Sequence, residues 1–230
     1  MKIAVSWSSG KDSLLALARA LDEGHEVVSL LTALREDDRV SVHGVARSLL
    51  REQSDRLGIP LKEVRIGEDV PYEEAHRKAF EDLRGEGVES VAYGDLFLED
   101  IREWRDAFHQ RAGLPCFYPI WGSDTRALAE AFIASGHRAV VVCVDTRRLE
   151  IEFAGRDYDQ AFLRDLPESV DPCGENGEFH TFVYGGPLFE GEISFGRAPV
   201  VEREFTDPGH AFSFGFRELA SKTEQRKELL

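Results

Sequence analysis

The chain has 230 residues, of which 43 are acidic and 28 basic, so its formal net charge is −15 at pH 7. Apolar residues make up 42% and charged residues 31%, the balance of a soluble globular protein with one large core or two smaller domains. A surface this acidic repels polyanions, which argues against broad binding to nucleic acid or to anionic membranes. A local basic pocket is the one feature that would still allow a polyanion to bind.

The cysteines and the N-terminus indicate the cellular compartment of the protein. Cys116, Cys143 and Cys173 lie far apart with no CxxC pair, which favours a reducing compartment over a disulfide framework or a zinc ribbon. The start "MKIAV" turns polar too soon for a signal peptide, and no apolar run could span a bilayer. We therefore expect a cytoplasmic protein with no membrane partner. The oligomeric state stays open, a homodimer included.

Short apolar runs alternate with helical patterns through the first half of the chain. The predicted strands are "KIAVSW", "EVVSLLTAL", "LKEVRI" and "SVAYGD", and the predicted helices cover residues 13–21, 44–57, 72–83 and 100–112. In the last helix Ile101, Trp104 and Phe108 form the expected buried stripe. This alternation predicts a doubly wound, Rossmann-like α/β fold with a parallel sheet covered on both faces.

The rhythm changes near "PIWGSDT". A helix over residues 125–134 and the strand "AVVVCVD" follow, and the chain then becomes richer in Gly, Pro and aromatic residues. We expect a first domain over residues 1–122, a smaller α+β domain over 123–217, and a charged tail over 218–230 that frays or forms an exposed helix.

The stretch "SSGKDS" stands between the first strand and the first helix. Helix N-terminal N–H groups favour an anion there, Gly10 allows close approach, and Lys11 adds a positive charge. An ordinary turn, with Ser9 as the helix cap and Asp12 completing a capping box, is an equally good interpretation of the spacing. A Walker loop is excluded, because Val5 stands where its first Gly is needed and Asp12 where its Ser or Thr belongs.

"SSGKDS" resembles the SGGxDS loop of the N-type ATP pyrophosphatases, with Ser9 in place of the first Gly. Members of that superfamily activate a carbonyl or carboxyl oxygen by adenylation and release pyrophosphate. The resemblance implies strand order 3-2-1-4-5, which would place Gly94 and Asp95, at the end of the fourth strand, beside the loop.

Two further groups of polar residues are ambiguous by themselves. Arg102 and Arg105 are neighbours on one helix face, where a solvated, ion-paired surface is the simpler interpretation. In "GENGEFHT", strand alternation puts Glu178 and His180 on one face, with Glu175 on the preceding turn. The three make a weak metal site and a reasonable acid/base pair with a histidine that titrates near neutrality, although a wetted antiparallel strand is the simpler interpretation.

Together, "SSGKDS", "GD", "PIWGSDT" and "CGENGEFHTFVYGGPLF" resemble the diphthine–ammonia ligase family, also described as adenine nucleotide alpha hydrolase-like, up to about residue 189. The resemblance implies an ATP-dependent amide ligase that adenylates a small-molecule or protein carboxylate, releases AMP and pyrophosphate, and transfers ammonia. It implies ATP and Mg²⁺, with metal binding by Asp12 and catalytic roles for Lys11, Asp95, Glu178 and His180. The nucleotide would be held by Ser8, Ser9, Gly10, Lys11, Asp12, Ser13, Gly94 and Asp95, and the substrate by Arg102, Arg105, Glu175, Glu178, His180 and Thr181.

Two alternatives remain at this point. One is adenylation-dependent tRNA thiolation, which the acidic composition and the lack of a CxxC pair disfavour. The other is a regulatory nucleotide-binding module with little or no turnover. The chain is more compact than the long members of the family, so the resemblance leaves the acceptor carboxylate undefined.

Overall fold

The computed structural model describes residues 1–41, 43–67, 70, 72–207 and 210–221, without the side chains of residues 205–207, 210 and 211. The first half forms a parallel five-stranded sheet of order β3-β2-β1-β4-β5. Its elements are β1 (Lys2–Ser6), α1 (Lys11–Asp22), β2 (Glu26–Leu34), α2 (Arg47–Leu57), β3 (Leu61–Arg65), α3 (Tyr72–Gly85), β4 (Ser90–Ala92), α4 (Glu99–Ala112) and β5 (Cys116–Phe117). The predicted doubly wound sheet and its strand order are confirmed.

The second half forms a separate antiparallel sheet of order β7-β6-β9-β8. Its elements are α5 (Thr125–Ala134), β6 (Arg138–Asp145), a 3₁₀ turn (Ile151–Phe153), α6 (Gln160–Asp165), β7 (Phe179–Gly185), β8 (Phe195–Asp207) and β9 (His210–Ser221). Asp124 caps α5 by accepting a hydrogen bond from the Ala127 amide at 2.8 Å. The proposed domain boundary near residue 122 falls between β5 and α5 and stays a prediction.

One hydrophobic cluster runs through both sheets. Val5 and Leu14 from the first sheet layer belong to the same buried cluster as Val141 and Phe182 from the second. A second cluster, around Phe80, lies on the other face of the parallel sheet. Apolar contact between the two halves therefore fixes the second sheet against α1, where the "SSGKDS" loop begins the helix. No helix in the described ranges is long and apolar enough to cross a lipid bilayer.

Two predictions about local structure are wrong. On α4, Phe108 is 4% exposed, but Ile101 and Trp104 are 36% and 39% exposed, because the helix rests on the sheet only through its C-terminal half. The expected tail also begins too early. Glu218 belongs to β9, which runs to Ser221 because β8 pairs with it through Phe195. The rest of that tail lies outside the described residues.

Candidate functional site

The open edge of β7 meets the "SSGKDS" loop. β7 lies at the edge of the second sheet, and its Val183 amide donates to the Ser9 carbonyl at 2.9 Å. Two residues earlier, the Thr181 hydroxyl accepts a hydrogen bond from the Lys11 amide at 3.0 Å. An unpaired strand edge leaves backbone groups without partners, and here the loop supplies them. The "GENGEFHT" segment therefore lies directly against the first turn of α1.

Gln53 of α2 joins the same two parts and escaped the sequence prediction. Its amide nitrogen donates to the carbonyls of Ser9 at 3.0 Å and Val183 at 2.7 Å. Its side-chain oxygen accepts from the indole of Trp7 at 2.8 Å. The residue is fully buried, so both polar atoms of its side-chain amide form their hydrogen bonds with other groups of the protein. No sequence pattern distinguishes this glutamine from a surface residue of an amphipathic helix.

Ser9 adopts a left-handed backbone conformation, with φ 75°. Its side chain is fully buried, and its hydroxyl oxygen has no hydrogen-bond partner among the described residues. A non-glycine residue in this region is strained, and a buried hydroxyl without a partner adds a desolvation cost. The backbone geometry explains why the SGGxDS pattern carries Gly at this position. Ser9 contributes to the loop through its carbonyl rather than through its hydroxyl.

Lys11 is buried, which contradicts the expectation of an exposed, phosphate-facing side chain. It is 1% exposed. Its ammonium donates to the Cys173 carbonyl and to Asp12 at 2.9 Å, and it lies over the rings of Tyr158 and Phe179 at 5.5 and 5.2 Å. Burial is the largest single influence and would lower the pKa of Lys11, but the interactions with Asp12, Cys173 and Glu175 together outweigh it and the pKa is raised. The charge anchors the second sheet to α1.

A cavity of about 310 Å³ opens beside this junction. Gly94 lines it because its backbone packs on α1, where an added Cβ would lie 2.7 Å from the Asp12 carbonyl carbon. The cavity brings together most of the predicted site residues, but Ser9, Gly10, Lys11, Glu178 and Arg102 do not line it. Its lining includes Ser8, Asp12, Ser13, Gly94, Asp95, Arg105, Glu175, His180 and Thr181, together with Trp7, His43, Tyr72, His76 and Tyr93 from outside the predicted set.

The first turn of α1 has the features of a phosphate and metal site. Its N-cap is Gly10, which has no side chain to occupy the helix N–H groups. Oδ1 of Asp12 is buried without a hydrogen-bond partner among the described residues, while Oδ2 binds Lys11. A carboxylate oxygen left over in this way suits Mg²⁺, which is bound through one or two carboxylates plus substrate phosphates. The described residues contain no cluster of three metal-ligating side chains.

At the other end of the cavity, Asp95 pairs with Arg105. Their closest atoms are 2.8 Å apart, and the Arg105 guanidinium lies 4.3 Å from the ring centre of Tyr93. The neighbouring Arg102 was expected to contact substrate, but its guanidinium lies over Trp121 at 4.6 Å and near Asp106. Although the two arginines are neighbours on the helix, only Arg105 lines the cavity, because the Arg102 side chain is held on Trp121 and Asp106.

Glu175 is the carboxyl group whose ionisation is tuned to neutral pH. Its Oε1 accepts from the amides of Leu96 at 2.7 Å and Phe97 at 3.4 Å. Burial, opposed by these hydrogen bonds and reinforced by the carboxylates of Asp12 and Asp95, raises the pKa of Glu175 to about 7. A group that changes charge near physiological pH inside a cavity is a candidate for function.

The expected acid/base pair of Glu178 and His180 does not form. Glu178 precedes β7 and is 1% exposed. Its Oε1 accepts hydrogen bonds from the backbone amide of Asp171 and from the side-chain amide of Asn176. Glu178 therefore stabilises the turn that precedes β7. His180 does line the cavity, but burial holds its pKa well below the ordinary value, and it stays neutral rather than titrating near neutrality.

Comparison with known proteins agrees with this architecture. The family models of the diphthamide synthase N-terminal and C-terminal domains match residues 1–116 and 124–206. A diphthine–ammonia ligase of Schizosaccharomyces pombe is 26% identical over 88% of this chain, which spans 37% of the length of that relative. A diphthine–ammonia ligase of Bos taurus is 24% identical, with 87% of this chain and 85% of the relative covered.

The chain therefore belongs to the diphthamide synthase family, and the resemblance to diphthine–ammonia ligases is confirmed. This membership also confirms the prediction of an enzyme from an ATP-dependent ligase family. A solved structure, described as a predicted subunit of tRNA methyltransferase from Methanocaldococcus jannaschii, aligns at 18% identity with TM-score 0.43 over 84% of this chain and 100% of its own.

Replacing Ser9 by Gly should stabilise the protein. The change removes the left-handed strain and the unpartnered hydroxyl, each worth about 1 kcal/mol or more, and the added freedom of the unfolded glycine offsets only part of that gain. Urea unfolding is expected to show a higher midpoint for Ser9→Gly. Ser8→Gly is the control, since Ser8 has no positive φ. A lower midpoint for Ser9→Gly would contradict the assignment of strain.

Lys11→Ala should destabilise the fold. Removing one member of a buried, paired group costs about 3 kcal/mol, because the Asp12 carboxylate and the Cys173 carbonyl lose their partner. Lys62→Ala is the control, since Lys62 only pairs with Glu86 near the surface, and such a pair is worth about 0–1 kcal/mol. Denaturant unfolding measures both variants. Equal stabilities for the two would show that Lys11 does not anchor the second sheet.

The stability of the Glu175→Gln variant relative to that of the wild type should increase as the pH rises. Since the pKa of Glu175 is about 7 in the folded protein against an ordinary value of 4.5, the folded state holds a proton that the unfolded state has lost between those values. The wild type therefore loses stability through this window, and the Gln variant does not. The melting temperature of Glu175→Gln minus that of the wild type should be larger at about pH 8 than at about pH 5. A difference that does not change with pH would be evidence against the raised pKa.

Proposed function

We propose that this protein is an AMP-forming amide ligase, which adenylates an acceptor carboxylate with ATP and then transfers ammonia to it. The observation that carries the proposal is the meeting of the open α1 N-terminus with the "GENGEFHT" segment in one cavity. Family membership supports the same activity. The cytoplasmic location stays a prediction.

The first turn of α1 would receive the phosphates of ATP. Backbone N–H groups and the positive end of the helix dipole stabilise the charge that develops on the α-phosphate and on departing pyrophosphate. The hydroxyls of Ser8 and Ser13 lie 3.4 Å apart at this turn and can add hydrogen bonds. Because Lys11 is occupied elsewhere, it holds the loop in place and leaves the phosphate contacts to the backbone.

Asp12 would hold Mg²⁺ through its unpartnered Oδ1. The ion would neutralise phosphate charge during adenylation. Asp95 is assigned a different task, since its carboxylate already pairs with Arg105. In that position it fixes the guanidinium at the far end of the cavity, where an incoming carboxylate needs a positive charge.

Glu175 would adjust the charge of the cavity. Asp12 and Asp95 already bring two carboxylates near it, and a third full negative charge would repel both ATP and an anionic acceptor. With a pKa of about 7, Glu175 is partly protonated at neutral pH and presents less of that charge. His180 and Thr181 complete the wall opposite the loop.

Diphthine is the acceptor to test first, because the relatives in Schizosaccharomyces pombe and Bos taurus are named for it. The family resemblance implies diphthine carried on elongation factor 2, and its carboxylate would be held by Arg105 in the cavity wall. The nitrogen source of the proposed reaction is free ammonia.

Turnover with this acceptor and an ammonium salt should yield AMP and pyrophosphate. Chromatography of the nucleotide products measures it. Arg105→Lys should reduce kcat/KM by about 10²-fold through the loss of planar carboxylate recognition. Arg102→Lys is the matched control on the same helix and should keep wild-type activity. Formation of ADP and phosphate would contradict the adenylation chemistry, and nucleotide binding without turnover would favour a regulatory module.

A further inference from the structure

His43 forms part of the cavity wall together with His180 and Thr181. It belongs to the segment between β2 and α2 and lines the main cavity. Its ring also lines a second, small cavity of about 10 Å³, on the side of β9. A volume of this size holds about one water-sized molecule. The His43 ring therefore lies between the main cavity and a small cavity that fits only a very small ligand.

The hydrogen bonding of His43 fixes its tautomer. Nδ1 lies 3.2 Å from the carbonyl oxygen of Thr181, the residue whose hydroxyl accepts from the Lys11 amide. A carbonyl oxygen only accepts, so Nδ1 carries the hydrogen. In the neutral ring Nε2 then keeps its lone pair and is a hydrogen-bond acceptor.

A second imidazole lies against the first. The ring centres of His43 and His180 are 4.5 Å apart, and the planes are inclined by 32°. Removal from water, in the neighbourhood of the Lys11 charge, lowers the pKa of His43 to about 4 and that of His180 well below its ordinary value. Two neutral rings side by side provide acceptor nitrogens without net charge. Such a pair suits a neutral molecule that donates hydrogen bonds.

Ammonia has those properties. It carries three N–H donors and no charge, whereas ammonium and metal cations are better matched by the carboxylates at the other side of the cavity. We propose that His43, packed against His180, binds ammonia through Nε2 and accepts the proton released when the amide forms. This inference rests on the proposed ligase function and assigns one of its two substrates a place.

The step balances in atoms and charge. The ammonia lone pair forms the C–N bond at the acyl carbon, the C–O bond to the adenylate breaks, and its electron pair leaves with AMP. One N–H proton moves to Nε2 of His43, so the product is the neutral amide. Because burial disfavours a charged ring here, the imidazolium passes this proton to bulk water when AMP departs.

The small cavity borders His43 on the side of β9, and only a molecule about the size of ammonia or water fits it. Gly44 forms part of its wall, and an added Cβ there would lie 3.4 Å from Cδ1 of Phe216. Gly44 also has φ 68°, which an alanine would adopt only under strain.

Nitrogen-15 NMR of the imidazole side chains tests the proposal without turnover. We expect the His43 ring to show a protonated Nδ1 and an unprotonated Nε2. Titration with ammonium chloride at constant ionic strength should shift the Nε2 resonance of His43, and potassium chloride should not. His25, at the opposite end of β2, is the internal control. An Nε2-protonated ring, or an Nε2 resonance indifferent to ammonia, would overturn the assignment.

Kinetics with diphthine-bearing elongation factor 2 separate this inference from the ligase proposal. His43→Ala should keep acceptor-dependent exchange of pyrophosphate into ATP, which reports adenylation, and lose about 10²-fold or more in amide formation. His43→Gln, which retains an acceptor oxygen, should recover the KM for ammonia but not kcat. Equal losses in exchange and amidation would contradict a role at the ammonia step. Absence of exchange in the wild type would contradict the ligase proposal alone, and the NMR result would still decide the ammonia site.

Discussion

The backbone contact between the edge of β7 and the "SSGKDS" loop is the interaction on which the site depends. The Val183 backbone amide donates to the Ser9 carbonyl, and the Thr181 side-chain hydroxyl accepts from the Lys11 amide. An open edge would otherwise be left to pair with another chain. Since the loop is a backbone partner of a strand from the other sheet, the two halves of the molecule hold each other's functional segments in register.

That contact also determines where the charges lie. Closing the edge buries Lys11 between the sheets, and Asp12 is left with one oxygen bound to Lys11 and one without a hydrogen-bond partner among the described residues. The same docking brings Glu175 to the amides of Leu96 and Phe97, close enough to Asp12 and Asp95 for their charges to raise its pKa. The electrostatics of the cavity therefore follow from one packing arrangement rather than from each residue separately.

Local patterns predicted the parallel sheet well because each strand and helix is encoded by its own few residues. Alternation of apolar runs located β2 and α5 at their observed bounds. The orientation of Lys11 could not be obtained in this way, since its partner Cys173 is 162 positions away in the chain and the loop pattern alone favours exposure. The separation of Glu178 from His180 depends on the turn that ends at β7, where strand alternation no longer applies.

Gln53 and His43 were missed for a related reason. Each interacts with a residue of the second sheet that is distant in the chain. Gln53 binds Val183, 130 positions away, and His43 binds Thr181, 138 positions away. A polar residue on an amphipathic helix or in a loop is ordinarily a surface residue. The only available signal was position, because His43 follows a strand whose carboxyl end faces the ligand side of the sheet.

Amide hydrogen exchange of Val183 and Lys11 tests most directly whether the second sheet holds the "SSGKDS" loop in place. Both amides donate across the junction and would be released together if the halves separated. The structure predicts that they exchange as slowly as the central amides of β1 and β6, through global unfolding. Rapid exchange of both, with the two sheets still protected, would contradict the account, because the loop would then be held without β7.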